Sequence, residues 1–85
     1  MSGVIMRKVV VQASYTNLVP EKTLVGTVTI SCAPGNAASV NFKGDDGSDV
    51  PWVAGEWHEF KGVDLKDFQI KGSPGDVVTL VGGTW

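Results

Sequence analysis

Eighty-five residues make one small domain with a single core. A hydrophobic share of 42 % against 19 % charged places the chain among globular rather than disordered sequences. Seven basic and nine acidic side chains leave a net charge of −2 and no basic stripe, so nucleic acid is not an expected partner.

No apolar run approaches the length of a membrane-crossing helix, and no membrane is expected as a partner. The N-terminal apolar stretch carries Arg7 and Lys8 inside it, and no small-residue cleavage site follows. A secretory signal is therefore not expected. Residues 1–5 are allowed to stay disordered ahead of the first strand. Cys32 is the only cysteine, which rules out an intrachain disulfide and suits a reducing compartment. It continues an apolar strand face and is read as core rather than as a nucleophile.

Taken in order, Met6 to Tyr15 reads as the first strand, with Val9, Val11, Ala13 and Tyr15 on one face. Asn17 to Lys22, punctuated by Pro20, breaks the pattern. Leu24 to Cys32 shows the clearest alternation in the chain. Leu24, Val28, Ile30 and Cys32 point one way, Gly26 keeps their parity, and Val25, Thr27, Thr29 and Ser31 point the other way.

Ala33-Pro34-Gly35-Asn36 is a turn, and Val40 with Phe42 anchors a third strand. Gly44 to Asp49 is an exposed loop. Val50 to Val53 is a short strand whose Pro51 lacks an N–H, which assigns it to an edge or a strand end. Trp57 to Lys61 follows, then a corner or single 3₁₀ turn at Val63-Asp64-Leu65, then a strand from Phe68 to Lys71. In Gly72-Ser73-Pro74-Gly75-Asp76, Pro74 presets the first corner of a type II turn and Gly75 accepts the positive φ of the second. Val77 to Val81 is the last strand.

No stretch of ten residues has helical periodicity. About seven short, mostly antiparallel strands therefore predict an all-β fold, a jelly-roll-like sandwich or barrel formed by residues 1–85 as one domain. A domain this small, with no disulfide or metal cluster to staple it, is expected to self-associate.

Each candidate site competes with a plainer role. His58 as a metal ligand or general base needs further ligands, and it is the only histidine. A cupin-like, metal-dependent barrel enzyme would draw those ligands from Glu56, Glu59 or Asp64. A regular strand instead sets His58 beside Phe60 against the core. Asp45, Asp46 and Asp49 lack the alternating spacing and closing glutamate of an EF-hand, so the loop is read as a solvated hairpin tip. Asp64 and Asp67 flank a corner, as turn and capping residues do. No phosphate-binding or dinucleotide motif is present, and neither a catalytic residue, a metal site nor a cofactor is assigned. Trp52, Trp57 and Trp85 remain as candidate interface residues, and Trp52 or Trp57 would serve the rival reading of a carbohydrate-binding module.

Two runs of residues carry a resemblance. Val28-Thr29-Ile30-Ser31, Ala33-Pro34-Gly35-Asn36, Gly47, Val50 and Ala54-Gly55-Glu56 form its first half. Val63-Asp64-Leu65, Ile70-Lys71-Gly72, Pro74-Gly75-Asp76 and the strand to Gly82 form the second. In this order they resemble the small all-β structural proteins of tailed bacteriophages, over roughly residues 24–83. Trp57-His58 departs from the polar residues the pattern would place there. The resemblance implies a non-enzymatic, virion-associated protein of the head or tail, assembled in the host cytoplasm. Its implied partners are itself and other virion proteins. The matching positions build turns and cores, so no catalytic residue comes with it.

Overall fold

The computed structural model describes residues 3–85. Among these residues eight strands form, in chain order β1 (Val4–Val10), β2 (Thr16–Asn17), β3 (Leu24–Cys32), β4 (Val40–Lys43), β5 (Asp49–Trp52), β6 (Trp57–Asp64), β7 (Gln69–Lys71) and β8 (Val77–Gly83). A 3₁₀ turn, Leu65–Asp67, separates β6 from β7. Two four-stranded sheets result, one ordered β1-β8-β3-β6 and the other β2-β7-β4-β5.

The topology is one long hairpin rolled up. Its tip is the loop between β4 and β5, which pair antiparallel; outward from it β3 pairs with β6, β2 with β7 and β1 with β8. Successive pairs fall in alternate sheets, and β3–β8 and β4–β7 contacts complete the sheets. This is a jelly-roll sandwich rather than a barrel.

The turn chemistry works as its residues dictate. Asp76 N–H donates to Ser73 O at 3.1 Å across Pro74-Gly75, and Gly75 has φ +95°, the type II geometry. Pro51 lies in β5, at the edge of its sheet, where its missing N–H costs no ladder bond.

The core lies between the sheets and is filled by Val28, Ile30 and Cys32 from β3, Val78 and Leu80 from β8, Val40 and Phe42 from β4, and Ile70 from β7. Leu18 and Val19, in the stretch expected only to break the pattern, are also buried. Leu18 N–H donates to Phe68 O at 2.9 Å, which locks that stretch onto the second sheet.

Two strand readings are corrected. Met6 to Tyr15 is not one strand: β1 ends at Val10, Val11 is buried where the chain crosses between sheets, and Thr16–Asn17 pairs in the other sheet. At the other end, Val4 and Ile5 belong to β1, because β8 continues to Gly83 and pairs with both; Met1 and Ser2 lie outside the described residues.

The faces of β3 also depart from the expected alternation. β3 has the expected bounds, but Leu24 is 61 % exposed and Val25 is buried. The β3–β6 ladder pairs Val25 with Val63 and Thr27 with Lys61, leaving Gly26 and Gly62 as an interruption between them. Gly62 has φ +62°, a left-handed conformation a strand does not otherwise hold. The inward side shifts by one residue across that glycine pair in both strands. Val28 and Phe60 face the core on one side of it, Val25 and Val63 on the other.

Candidate functional site

The three tryptophans have different fates. Trp52 ends β5 and is 6 % exposed, so it is a core residue and leaves the set of interface and sugar-stacking candidates. Phe42 stacks on it at 3.8 Å between ring centroids and 18° between planes, and His58 meets it edge-on at 4.7 Å. Phe60 and Phe68 extend the cluster, 5.0 Å apart. Trp57 and Trp85 are both exposed.

His58 shares the Phe60 face of β6 and touches the rim of the core through Trp52, but its side chain is 52 % exposed rather than packed inside, and its Nε2 lies 2.7 Å from Glu56 Oε2. The other oxygen of Glu56 accepts from Val53 N–H at 3.0 Å. These contacts, the one to His58 foremost, hold the Glu56 carboxyl below its usual range. The other carboxylates of the metal-barrel reading do not join this pair. Glu59 lies on the opposite face of β6. Asp64 sits at the far end of the strand and caps the 3₁₀ turn, accepting from Thr23 N–H at 2.8 Å and Lys66 N–H at 3.0 Å. Among the described residues no three histidine, cysteine, aspartate or glutamate side chains converge. The cupin-like ligand set is therefore not assembled in this fold.

The aspartate loop is the hairpin tip between β4 and β5. Asp46 turns inward on the loop and accepts from both the backbone N–H and the hydroxyl of Ser48. Asp49 instead reaches across the outer face of the second sheet. It accepts the Tyr15 hydroxyl and lies 3.4 Å from Lys71 Nζ. The Lys71 ammonium sits 4.8 Å and the Lys43 ammonium 5.7 Å from the Tyr15 ring centre. The bond to Asp49 pushes Tyr15 up to about 12. This face is polar, with its charges engaged by one another. A shallow depression between the hairpin tip and the 3₁₀ turn is lined by Lys43, Gly44, Asp45, Asp67, Phe68 and Gln69.

The outer face of the first sheet is different. An antiparallel sandwich ordinarily turns polar residues outward there. Register sets the rows Val4–Gly83–Thr27–Lys61, Met6–Val81–Thr29–Glu59 and Lys8–Thr79–Ser31–Trp57, with Val10 opposite Val77. Val4 is 75 % exposed and Met6 72 %, and Val10 and Val81 are nearly half exposed.

Trp85 joins this strip. A methyl group at Gly83 would lie 1.7 Å from the Trp85 ring, and one at Gly26 would lie 1.9 Å from the Trp85 carbonyl oxygen. The two glycines are thus the seat on which the last residue folds back over the sheet. Thr84 N–H donates to Gly3 O at 2.9 Å, fastening the same end beside β1. Val4 and Met6 were not singled out by sequence reasoning. Their signal was an apolar residue at alternate positions from Val4 to Val10, interrupted only by Lys8.

The same sheet has long open edges. β1 and β6 are its outermost strands, at seven and eight residues. The second sheet ends in the two-residue β2 and the four-residue β5. No helix of the described residues is long and apolar enough to cross a membrane. Comparison of the chain with protein-family models, curated proteins and solved structures returned no match.

Proposed function

We propose that this chain is a non-enzymatic assembly protein, a β-domain that works by associating with further copies of itself and with other structural proteins. The observation that carries this reading is the exposed apolar strip of Val4, Met6, Val10, Val81 and Trp85 on a sheet face that would otherwise be polar. Burying such a strip yields on the order of 25 cal/mol per Å² of apolar surface before the costs of association.

The turn-and-strand resemblance supplies the setting: a virion-associated protein of a tailed phage, on head or tail, assembled in the host cytoplasm. The carboxylates support the same reading through what they already do. Asp46, Asp64 and Asp76 each accept backbone N–H groups within loops and turns. Their chemistry is spent on holding the roll together.

Light scattering across a dilution series tests the proposal. The expected result is a particle mass that is a multiple of the 9.0 kDa chain and that falls on dilution. A mass of one chain at every concentration would overturn self-association as the mode of action.

A further inference from the structure

A sheet edge presents unpaired N–H and C=O groups, and natural β-proteins blunt such edges with short strands, proline, bulges or charged side chains, the last of which discriminate between partners by their sign. The second sheet follows that rule on both sides, with β2 only two residues long and Pro51 in β5. Neither β1 nor β6 contains proline, and most of each strand is exposed. The two edges also differ in charge. β1 carries Arg7 and Lys8, while β6 carries Glu59, Lys61 and Asp64 and follows directly on Glu56, so only its Glu56–Glu59 end is acidic.

Direction and register narrow what fits between them. β1 is antiparallel to β8, β8 to β3 and β3 to β6, so β1 and β6 run in opposite directions across the sheet. The β6 strand of a second copy, laid beside β1 with the outer faces flush, therefore enters antiparallel and continues the alternation. Directly opposed residues share a face. Met6, Lys8 and Val10 must then meet Trp57, Glu59 and Lys61.

One register sets Lys8 opposite Glu59, Val10 opposite Trp57 and Met6 opposite Lys61. On the other face it sets Arg7 over Phe60 and Val9 against His58. Sliding two residues one way puts Lys8 against Lys61, and sliding the other way sets Met6 against Glu59. Gly62, at φ +62°, and the end of β1 at Val10 limit the regular ladder to these five pairs.

We propose that a second copy of this chain docks the Trp57–Lys61 segment of its β6 onto Met6–Val10 of β1, adding a strand to the first sheet in that register. The inference rests on the assembly reading above and adds an edge contact, of which only Met6 and Val10 belong to the exposed apolar strip. The contact joins two different surfaces, so each added copy leaves one open edge of each kind. Growth then closes into a ring or continues as a filament.

Charge reversal tests the pairing with the whole chain. Lys8→Glu and Glu59→Lys each bring like charges together across the contact, while the double variant restores an opposite pair in every interface. Both positions are exposed, so the dilute single chains should keep the parental circular dichroism. Light scattering is expected to show each single variant assembling at a concentration roughly tenfold higher than the parent, with the double variant returning close to it. In the parent, backbone amides of Met6–Val10 and Trp57–Lys61 should gain exchange protection as concentration rises, and those of β5 should not.

Assembly unchanged in both single variants would overturn this interface and leave self-association standing through another surface. Weakening in the single variants with no recovery in the double variant would overturn the Lys8–Glu59 register. A parent that stays a single chain throughout would overturn both the interface and the assembly reading.

Discussion

Asp76 shows how a single side chain fastens a loop in this fold. It is 8 % exposed, and its two carboxylate oxygens accept from Ala37 N–H at 2.9 Å and Ala38 N–H at 3.1 Å. Beside it, Asn36 exchanges two hydrogen bonds with the backbone of Val77, at 3.0 and 2.8 Å. Together they tie the β3–β4 connection to the start of β8. Asp76→Ala leaves two part-buried amides without an acceptor and is expected to cost about 2 kcal/mol or more, at roughly 1–3 for each unsatisfied group. Asp76→Asn keeps one acceptor oxygen and should cost less, and urea denaturation of the two variants reads the difference. Equal losses would show that the carboxylate geometry is not what holds the loop. Cys32 is the other residue whose surroundings decide its chemistry. It is 1 % exposed, and burial, aided by Glu56 and Asp76, pushes its thiol up to about 11. A thiol reagent at neutral pH should react with it at the rate of unfolding; fast labelling of the native chain would place it at the surface instead.

At the scale of the strand, what could be read in advance depended on whether the signal was local. The β-branched alternation of β3 marked it from Leu24 to Cys32, and the Pro74-Gly75 turn was legible because two adjacent residues dictate its dihedrals. The faces of β3 were not legible beyond Gly26. The switch there comes from Gly62 on a different strand, and nothing local to β3 announces it. Val11 posed the same difficulty, since an apolar residue at a corner between sheets continues the alternation of the strand before it. The tryptophans were legible only as a set, because the pairing partners that bury Trp52 and expose Trp57 lie elsewhere in the chain.

β8 offers a test of what its adjoining glycines are for. A methyl at Gly82 would lie 2.2 Å from Thr27 O and 2.7 Å from Val28 Cα, which are backbone atoms of β3 that cannot yield without opening the ladder. At Gly83 the nearest atoms belong to the Trp85 ring, which can swing aside. Gly82→Ala should therefore destabilise by about 1–3 kcal/mol or more, as overpacking does. Gly83 is covered by that ring alone, so Gly83→Ala should cost well under the Gly82→Ala loss, on the order of 0.5 kcal/mol, and unseat Trp85. In nuclear magnetic resonance spectra the Trp85 indole N–H should shift and the Trp52 one should not. A Gly83→Ala chain as unstable as Gly82→Ala would mean that the Trp85 seat is part of the fold's stability.

Across the whole molecule, the nested hairpin leaves its loops to be fastened by carboxylates, and this sets its response to pH. Asp64 holds the 3₁₀ turn to the segment before β3, Glu56 holds the β5–β6 turn, Asp46 closes the hairpin tip, and Asp49 anchors Tyr15 to the second sheet. Hydrogen bonds to these groups hold all four carboxyls below their usual range: Ser48 for Asp46, Tyr15 for Asp49, His58 for Glu56 and the Thr23 N–H for Asp64. A folded-state value below the unfolded one means that the contribution is present above the unfolded value, near pH 4, and is lost as pH falls through the folded one. Tyr15 gives the opposite sign. Its value is raised to about 12, so its contribution is complete below about pH 10 and disappears as pH rises through the folded value. The parent should therefore lose denaturant resistance below about pH 4. Asp64→Asn retains an acceptor oxygen that cannot be protonated in this range, so its stability should fall less steeply over the same acid interval. Parallel acid profiles for parent and variant would remove Asp64 from the set of groups that fasten the roll.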